Sequence, residues 1–376
     1  MPLSPRALNR ATLARQLLLD RAPLDVPSGV RRVLALQAQE PASPYVALWN
    51  RIQGFDPADL DRAFATRAVV KGTSVRFTLH AVHAGDQPAI HEAMLPRLRE
   101  SGLDARFRAA GLTIADVDAL VPEVLAHAAT PRSNAEMEAW FDERHAAFEP
   151  PGLWPALRSY APFVHASTGG PWSFGTRPMY VAAPDQHHMG DPERALAHLV
   201  RRYLEAFGPA SVVDVARFSI IQRTRIRAAM EALGDEVVRV EGPTKEPLYD
   251  IAGGPLPAED TPAPPRLLGM WEATLLAYDD RSRIVPDTYR KIVTRVNGDV
   301  LPTLLVDGYV AGVWRPVEDG IEATAFGSLD EDAWAGLDAE ARSLRTFLAD
   351  REPLVYRRYG HWWSKLPEGT VRILGR

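Results

Sequence analysis

The 376-residue sequence predicts an α+β fold of three winged helix-turn-helix motifs in tandem, followed by a C-terminal α+β unit. Three observations carry this. Stretches of helical period give way to a short alternating β-ribbon, and the order occurs three times along the chain. A segment with seven prolines, 241–266, then interrupts the pattern. Beyond it, alternating residues around Asn297-Gly298 and Asp307-Gly308 read as hairpins. The boundaries fall at 1–110, 111–185, 186–255 and 256–376.

In the first motif, residues 4–20 form a helix, with Ser4 as N-cap, Pro5 in the first position and Leu8, Leu13, Leu17 and Leu18 at helical spacing. Val26–Ala38 is a second helix with Ser28 as its cap, and Asp56–Thr66 a third with Pro57 in its first turn. Val69–Val82 switches to alternation, with Val75, Phe77, Leu79 and Ala81 on one side. In the second motif, short helices over 132–160 are broken by Pro150 and Pro151. Phe163–His165 then leads through the glycine turn Thr168–Gly175 to Met179–Ala182. The third runs Pro192–Phe207, Val212–Phe218 capped by Ser211, and Arg223–Leu233, then a ribbon of Val237–Val240 and Leu248–Ile251. Gly208-Pro209-Ala210-Ser211 makes its corner. The repeat lies in element order, without residue identity between copies. In the last unit, Arg290–Arg315 reads as strands, Leu329–Asp350 as a closing helix, and 353–376 as short mixed elements.

Composition excludes several classes. With 46% hydrophobic and 24% charged residues the chain is globular, neither disordered nor fibrous. It has no cysteine, hence no disulfide framework, thiol nucleophile or cysteine-ligated zinc. No apolar run approaches the ~18 residues of a membrane span. Arg6, Arg10 and Arg15 punctuate the first apolar stretch, so a signal-peptide core is not expected and a cytoplasmic protein is. Arginine supplies 39 of the 43 basic residues, in keeping with a GC-rich coding bias. The net charge of −5 hides blocks: 1–110 holds 15 basic and 10 acidic residues and 151–230 holds 9 and 5, whereas 111–150 and 231–265 each hold 2 and 8. Basic blocks facing one groove suit a polyanion; the same numbers also describe an uneven solvated surface.

Most common chemistries drop out on spacing. His80 and His83, and His187 and His188, lack the third ligand of a zinc site and read as structural or surface residues. The glycines of 168–175 do not lead a strand into a helix, as a phosphate-binding loop must. No Gly-x-Ser-x-Gly elbow is present. Asp279-Asp280 beside Arg281 and Arg283 reads as a salt-bridged surface. What remains is Leu34-Ala-Leu-Gln-Ala-Gln-Glu-Pro41. Pro41 pushes Glu40 out of the helical region. On a continuing helix Gln37 and Gln39 diverge; in an extended exit they share a face. Such a pair of amides can hold a water without adding charge; it can equally be a polar helix end.

Further stretches carry a resemblance: Leu8-Asn-Arg-Ala-Thr-Leu-Ala-Arg-Gln16, Leu36-Gln-Ala-Gln-Glu-Pro41, Pro44-Tyr-Val-Ala-Leu-Trp-Asn-Arg51, Val70-Lys-Gly-Thr73, Phe77-Thr-Leu-His80, Ala206-Phe-Gly-Pro-Ala-Ser211, Asp280-Arg-Ser-Arg283 and Leu305-Val-Asp-Gly-Tyr-Val-Ala-Gly-Val-Trp-Arg315. In this order they resemble the winged-helix DNA glycosylases of the AlkZ and YcaQ type. The resemblance implies three winged-helix motifs around a concave DNA-binding face. It implies a catalytic Gln-x-Gln at Gln37 and Gln39, where the YcaQ branch has Gln-x-Asp. The implied activity is monofunctional removal of N7-alkylated purines from double-stranded DNA, including bulky adducts and interstrand crosslinks made by genotoxic natural products. The implied enzyme is a monomer without metal, cofactor or covalent lysine intermediate. Lys71 corresponds to a basic backbone contact, and Arg281 and Arg283 to an element near DNA. Arg223, Arg225 and Arg227 fall on the recognition helix of the third motif. The sequence departs from the family at Phe77-Thr-Leu-His-Ala-Val82 and at Met270-Trp-Glu-Ala-Thr-Leu-Leu276. The alternative of another class is a non-catalytic winged-helix DNA-binding protein such as a transcriptional regulator.

Overall fold

The computed structural model describes residues 2–100, 103–144, 153–184 and 190–376; Pro150, Pro151, His187 and His188 lie outside them. Helix α1 (Pro5–Arg15) starts as expected, the Ser4 hydroxyl accepting from the Ala7 N–H at 3.0 Å. It stops short of residue 20 because Leu17 takes a positive φ of 56°. Helix α2 (Val26–Val33) is capped by Asp25, whose carboxylate accepts from the Ser28 N–H at 2.8 Å, and not by Ser28. It ends at Leu34, at φ 74°, and the chain continues as strand β1 (Ala35–Gln37), where a helix to Ala38 was expected. Helix α3 (Ser43–Trp49) carries no period that marks it in the sequence; α4 (Pro57–Ala65) is capped by Asp56. The alternating stretch becomes β2 (Val69–Thr73), a 3-10 turn Val75–Phe77, and β3 (Leu79–His83).

Next come α5 (Gln87–Glu100), α6 (Leu103–Ala109), α7 (Ile114–His127), β4 (Arg132–Ser133), α8 (Asn134–Arg144), α9 (Leu153–Tyr160), β5 (Phe163–His165) and β6 (Met179–Ala182). Then α10 (Pro192–Phe207), α11 (Val212–Ser219) and α12 (Arg223–Ala232) lead to the ribbon β7 (Val237–Val240) and β8 (Leu248–Ile251). Ser211 and Asp214 form a capping box that starts α11. The proline-rich segment runs along α1: Leu3 donates to the Glu241 carbonyl at 2.8 Å and Arg10 to that of Thr261 at 2.6 Å. After it come β9 (Arg266–Leu268), α13 (Asp287–Val293), β10 (Thr303–Val306), β11 (Tyr309–Val317), β12 (Gly320–Ala325), α14 (Glu331–Ala349), a 3-10 turn Arg357–Lys365 and β13 (Thr370–Leu374). Residues 290–293, expected as strand, belong to α13, which Pro286 and Asp287 start. Asp307-Gly308 makes the β10–β11 turn.

The first and second ribbons join, through Lys71 opposite His165, into one six-stranded sheet of order β1-β3-β2-β5-β6-β4. A five-stranded sheet, β13-β12-β11-β10-β9, forms the C-terminal unit. Residues opposite each other in an antiparallel ladder share a face. Gln37, His80 and Gly72 therefore point one way, and Leu36, Ala81, Lys71 and His165 the other. On the Gln37 side Ala35, Val70 and Val82 pack into a core with α5, α10, α11 and α12. On the Lys71 side Val69, Leu36 and Ala81 share a core with α3, α14 and the five-stranded sheet. The sheet thus separates two cores, and the glutamines emerge at its free edge.

Candidate active site

Because Leu34 ends α2 early, Gln37 lies on a strand that pairs with β3, and the Ala38 N–H still bonds the Leu79 carbonyl at 2.8 Å. The extended exit puts the two glutamines together: Gln37 Nε2 donates to Gln39 Oε1 at 2.6 Å. Gln37 is buried and Gln39 exposed. With its amide N–H committed to Gln39, Gln37 Oε1 is buried without a hydrogen-bond partner. An unmet buried acceptor costs about 1–3 kcal/mol and is open to a donor small enough to reach it, such as a water.

Directly opposite Gln37 is His80. Its Nδ1 lies 3.0 Å from the Thr78 carbonyl and its Nε2 3.2 Å from Arg76 Nη2. A carbonyl needs a donor and a guanidinium an acceptor, so the ring is neutral with the proton on Nδ1. Burial, aided by Arg76, pushes its pKa down to about 3, so it stays neutral at physiological pH. Glu40 ends the glutamine segment. Arg358 pairs with it at 2.6 Å and the Tyr359 hydroxyl donates to it at 3.2 Å. Burial still raises the Glu40 carboxyl above its ordinary value.

The other expected contacts divide. Lys71 is not displayed as a phosphate contact: it is 4% exposed, on the face away from Gln37, with its Nζ 4.4 Å from the centre of the Phe174 ring. Burial pushes its pKa down to about 8. Arg223 and Arg227 are exposed on α12, whereas Arg225 is tied to Glu193 at 2.7 Å. Arg281 and Arg283 do not bridge Asp279 and Asp280 as a salt-bridged surface would. Arg281 donates to Thr294 Oγ1 at 3.0 Å; Arg283 donates to the Pro209 carbonyl at 2.8 Å and lies over the Tyr278 ring. Asp280 caps Ser282 instead, at 2.9 Å. Sequence reasoning missed Arg76 and Arg358. Neither had a signal, since Arg76 reaches the site through a left-handed turn and Arg358 from the far end of the chain.

Among the described residues no group of three or more His, Asp or Glu is placed to hold a metal, and no helix is long and apolar enough to cross a membrane. The family model described as DNA glycosylase AlkZ-like matches residues 30–347. The chain is 24% identical over 336 residues to an interstrand DNA cross-link repair glycosylase of Streptomyces sahachiroi, covering 84% of this chain and 88% of that protein. Its fold is similar to that of the Streptomyces sahachiroi DNA glycosylase AlkZ, with a TM-score of 0.78 at 21% identity over 94% of this chain and 99% of the other. The class is therefore that of the DNA glycosylases, enzymes that hydrolyse N-glycosyl bonds. Within it, the chain belongs to the AlkZ-like family. That membership decides for an enzyme over a non-catalytic DNA-binding protein.

Proposed function

We propose that this glycosylase hydrolyses the N-glycosidic bond of N7-alkylated guanines in double-stranded DNA, including bulky adducts and interstrand crosslinks, and that it acts as a monomer. The observation that carries the reading is the Gln37–Gln39 pair, with one buried amide oxygen left unpartnered. Alkylation at N7 makes guanine a cationic leaving group, so the base needs no general acid. The remaining task is to hold a water beneath C1′ as an oxocarbenium-like transition state develops. Gln37 Oε1 accepts one water hydrogen and directs a lone pair at C1′, while Gln39 fixes the Gln37 amide in that rotamer. Neutral groups suffice: the C1′–N9 bond breaks with N7-alkylguanine leaving as a neutral base, the water oxygen bonds C1′ and its surplus proton passes to solvent, and a neutral His80 opposite adds no positive charge of its own beside the developing cation.

The element order supports reading α1–β3, α8–β6 and α10–β8 as three tandem winged-helix motifs lining a DNA-binding concavity. The test is incubation with a duplex carrying N7-methylguanine, followed by hot alkali. Strand breaks above a no-protein control are expected; breaks at the control level would overturn the proposal.

A further inference from the structure

Arg76 lies in the 3-10 turn that interrupts the β2–β3 hairpin. It and Phe77 both have φ of 57°, a left-handed conformation that residues other than glycine rarely adopt. The turn aims the guanidinium inward. Arg76 Nη1 donates to the Phe218 carbonyl at 3.2 Å, Nη2 to His80 Nε2 at 3.2 Å, and the group lies over the Phe218 ring at 5.0 Å. None of these partners carries a negative charge.

Its neighbours are cations. Arg217 precedes Phe218 on α11 and is exposed; its Nε lies 4.0 Å from Asp279, two residues before Arg281, which begins a short 3-10 turn. Burial first, then Arg281 and Arg217, bring Arg76 down to about 10. Arg281 is lowered by burial and then by Arg290 and Arg217. The carboxylate facing this group is that of Asp279. Arg281 Nε is buried without a hydrogen-bond partner. Like charges gathered around an unused donor are stable together when an anion joins them.

We propose that Arg217 and Arg281 form a binding site for a backbone phosphate of the DNA strand carrying the lesion, with the charge of the inward-pointing Arg76 held behind them by His80. The proposal rests on the DNA glycosylase reading. It deepens that reading, because His80 is the cross-strand partner of Gln37 and the phosphate would sit one imidazole away from the reacting water. Nothing in the sequence spacing pointed to Arg76 or Arg217.

The test is fluorescence anisotropy with a duplex bearing one 2′-fluoro-stabilised N7-methylguanine, whose electron-poor sugar resists cleavage. Arg76→Gln and Arg217→Gln are each titrated over a range of salt. Arg217→Gln is expected to lower the log–log salt slope by up to about 0.9, the share of one neutralised phosphate, and Arg76→Gln by less, the two together not exceeding that share; a merely structural role would not change the slope. With a neutral methylphosphonate placed at the contacted linkage, wild type and variants are expected to bind within about twofold of each other, because the shared charge is gone. Slopes unchanged in both variants, or losses that simply add at every linkage, would overturn the phosphate site. Arg217→Gln keeps the test open if Arg76→Gln fails to fold. A wild type that binds the duplex but excises no N7-alkylguanine overturns the proposed lesion, while the phosphate site is still decided by the slopes.

Discussion

Arg358, in the last 3-10 turn of the chain, holds the carboxylate of Glu40 at 2.6 Å, so the C-terminal unit grips the residue that follows Gln39. The ionised carboxylate is nonetheless disfavoured, because burial outweighs Arg358 and raises its pKa. A raised carboxyl contributes stability below its ordinary pKa of about 4.3, and that contribution is lost as pH rises through the folded value. Glu40→Gln is therefore expected to melt above wild type at pH 7, the difference shrinking as pH falls towards about 4.5. Thermal melts across that range check it; a difference that grows with acid would contradict it.

Lys71 has the opposite linkage. Its pKa is pushed down from 10.5 to about 8 by burial, so between those values the unfolded chain binds a proton that the folded chain does not. Wild-type stability should rise as pH climbs from about 8 to about 10.5, and Lys71→Met should remove that rise. Because Lys71 is buried, the same variant should leave the salt slope of DNA binding unchanged. A lowered slope would return Lys71 to the DNA interface.

The arginines of α12 should separate in the same measurement. Arg223 and Arg227 are exposed, while Arg225 already serves Glu193. If α12 meets the DNA backbone, Arg223→Ala and Arg227→Ala each reduce the log–log salt slope by about 0.9, and Arg225→Ala reduces it less. Wild-type slopes in all three variants would place α12 away from the DNA.

Local signals were legible in the sequence wherever a few neighbouring residues decide the structure. Ser4 and Ser211 cap the helices they precede, and Asp307-Gly308 turns a hairpin. The extended exit that brings Gln37 and Gln39 together stood only as one of two alternatives, because the helical period of Val26–Ala38 runs through Gln37 and the break at Leu34 has no local signal. What was not legible depends on distant partners or on unusual backbone. Leu34 and Arg76 take positive φ without being glycine, which composition does not announce. The joining of two ribbons at Lys71 and His165 needs residues nearly a hundred positions apart, and it buries the lysine. Residues 290–293 head the stretch expected as strands, yet Pro286 and Asp287 begin a helix that contains them.

The central claim is that Gln37 and Gln39 hold one water, and single-turnover excision on a duplex with one N7-alkylguanine tests it most directly. Gln37→Ala and Gln39→Ala should each slow excision by about 10²-fold, the scale of losing one preorganised polar group. Melting temperature and lesion-DNA affinity should change little. Gln39→Asp should retain more activity than Gln39→Ala, since a carboxylate still accepts from the Gln37 amide. The double alanine variant should lose much less than the product of the single losses, because both residues serve the same water. Wild-type rates in both single alanine variants would contradict the account and leave the pair a polar strand end.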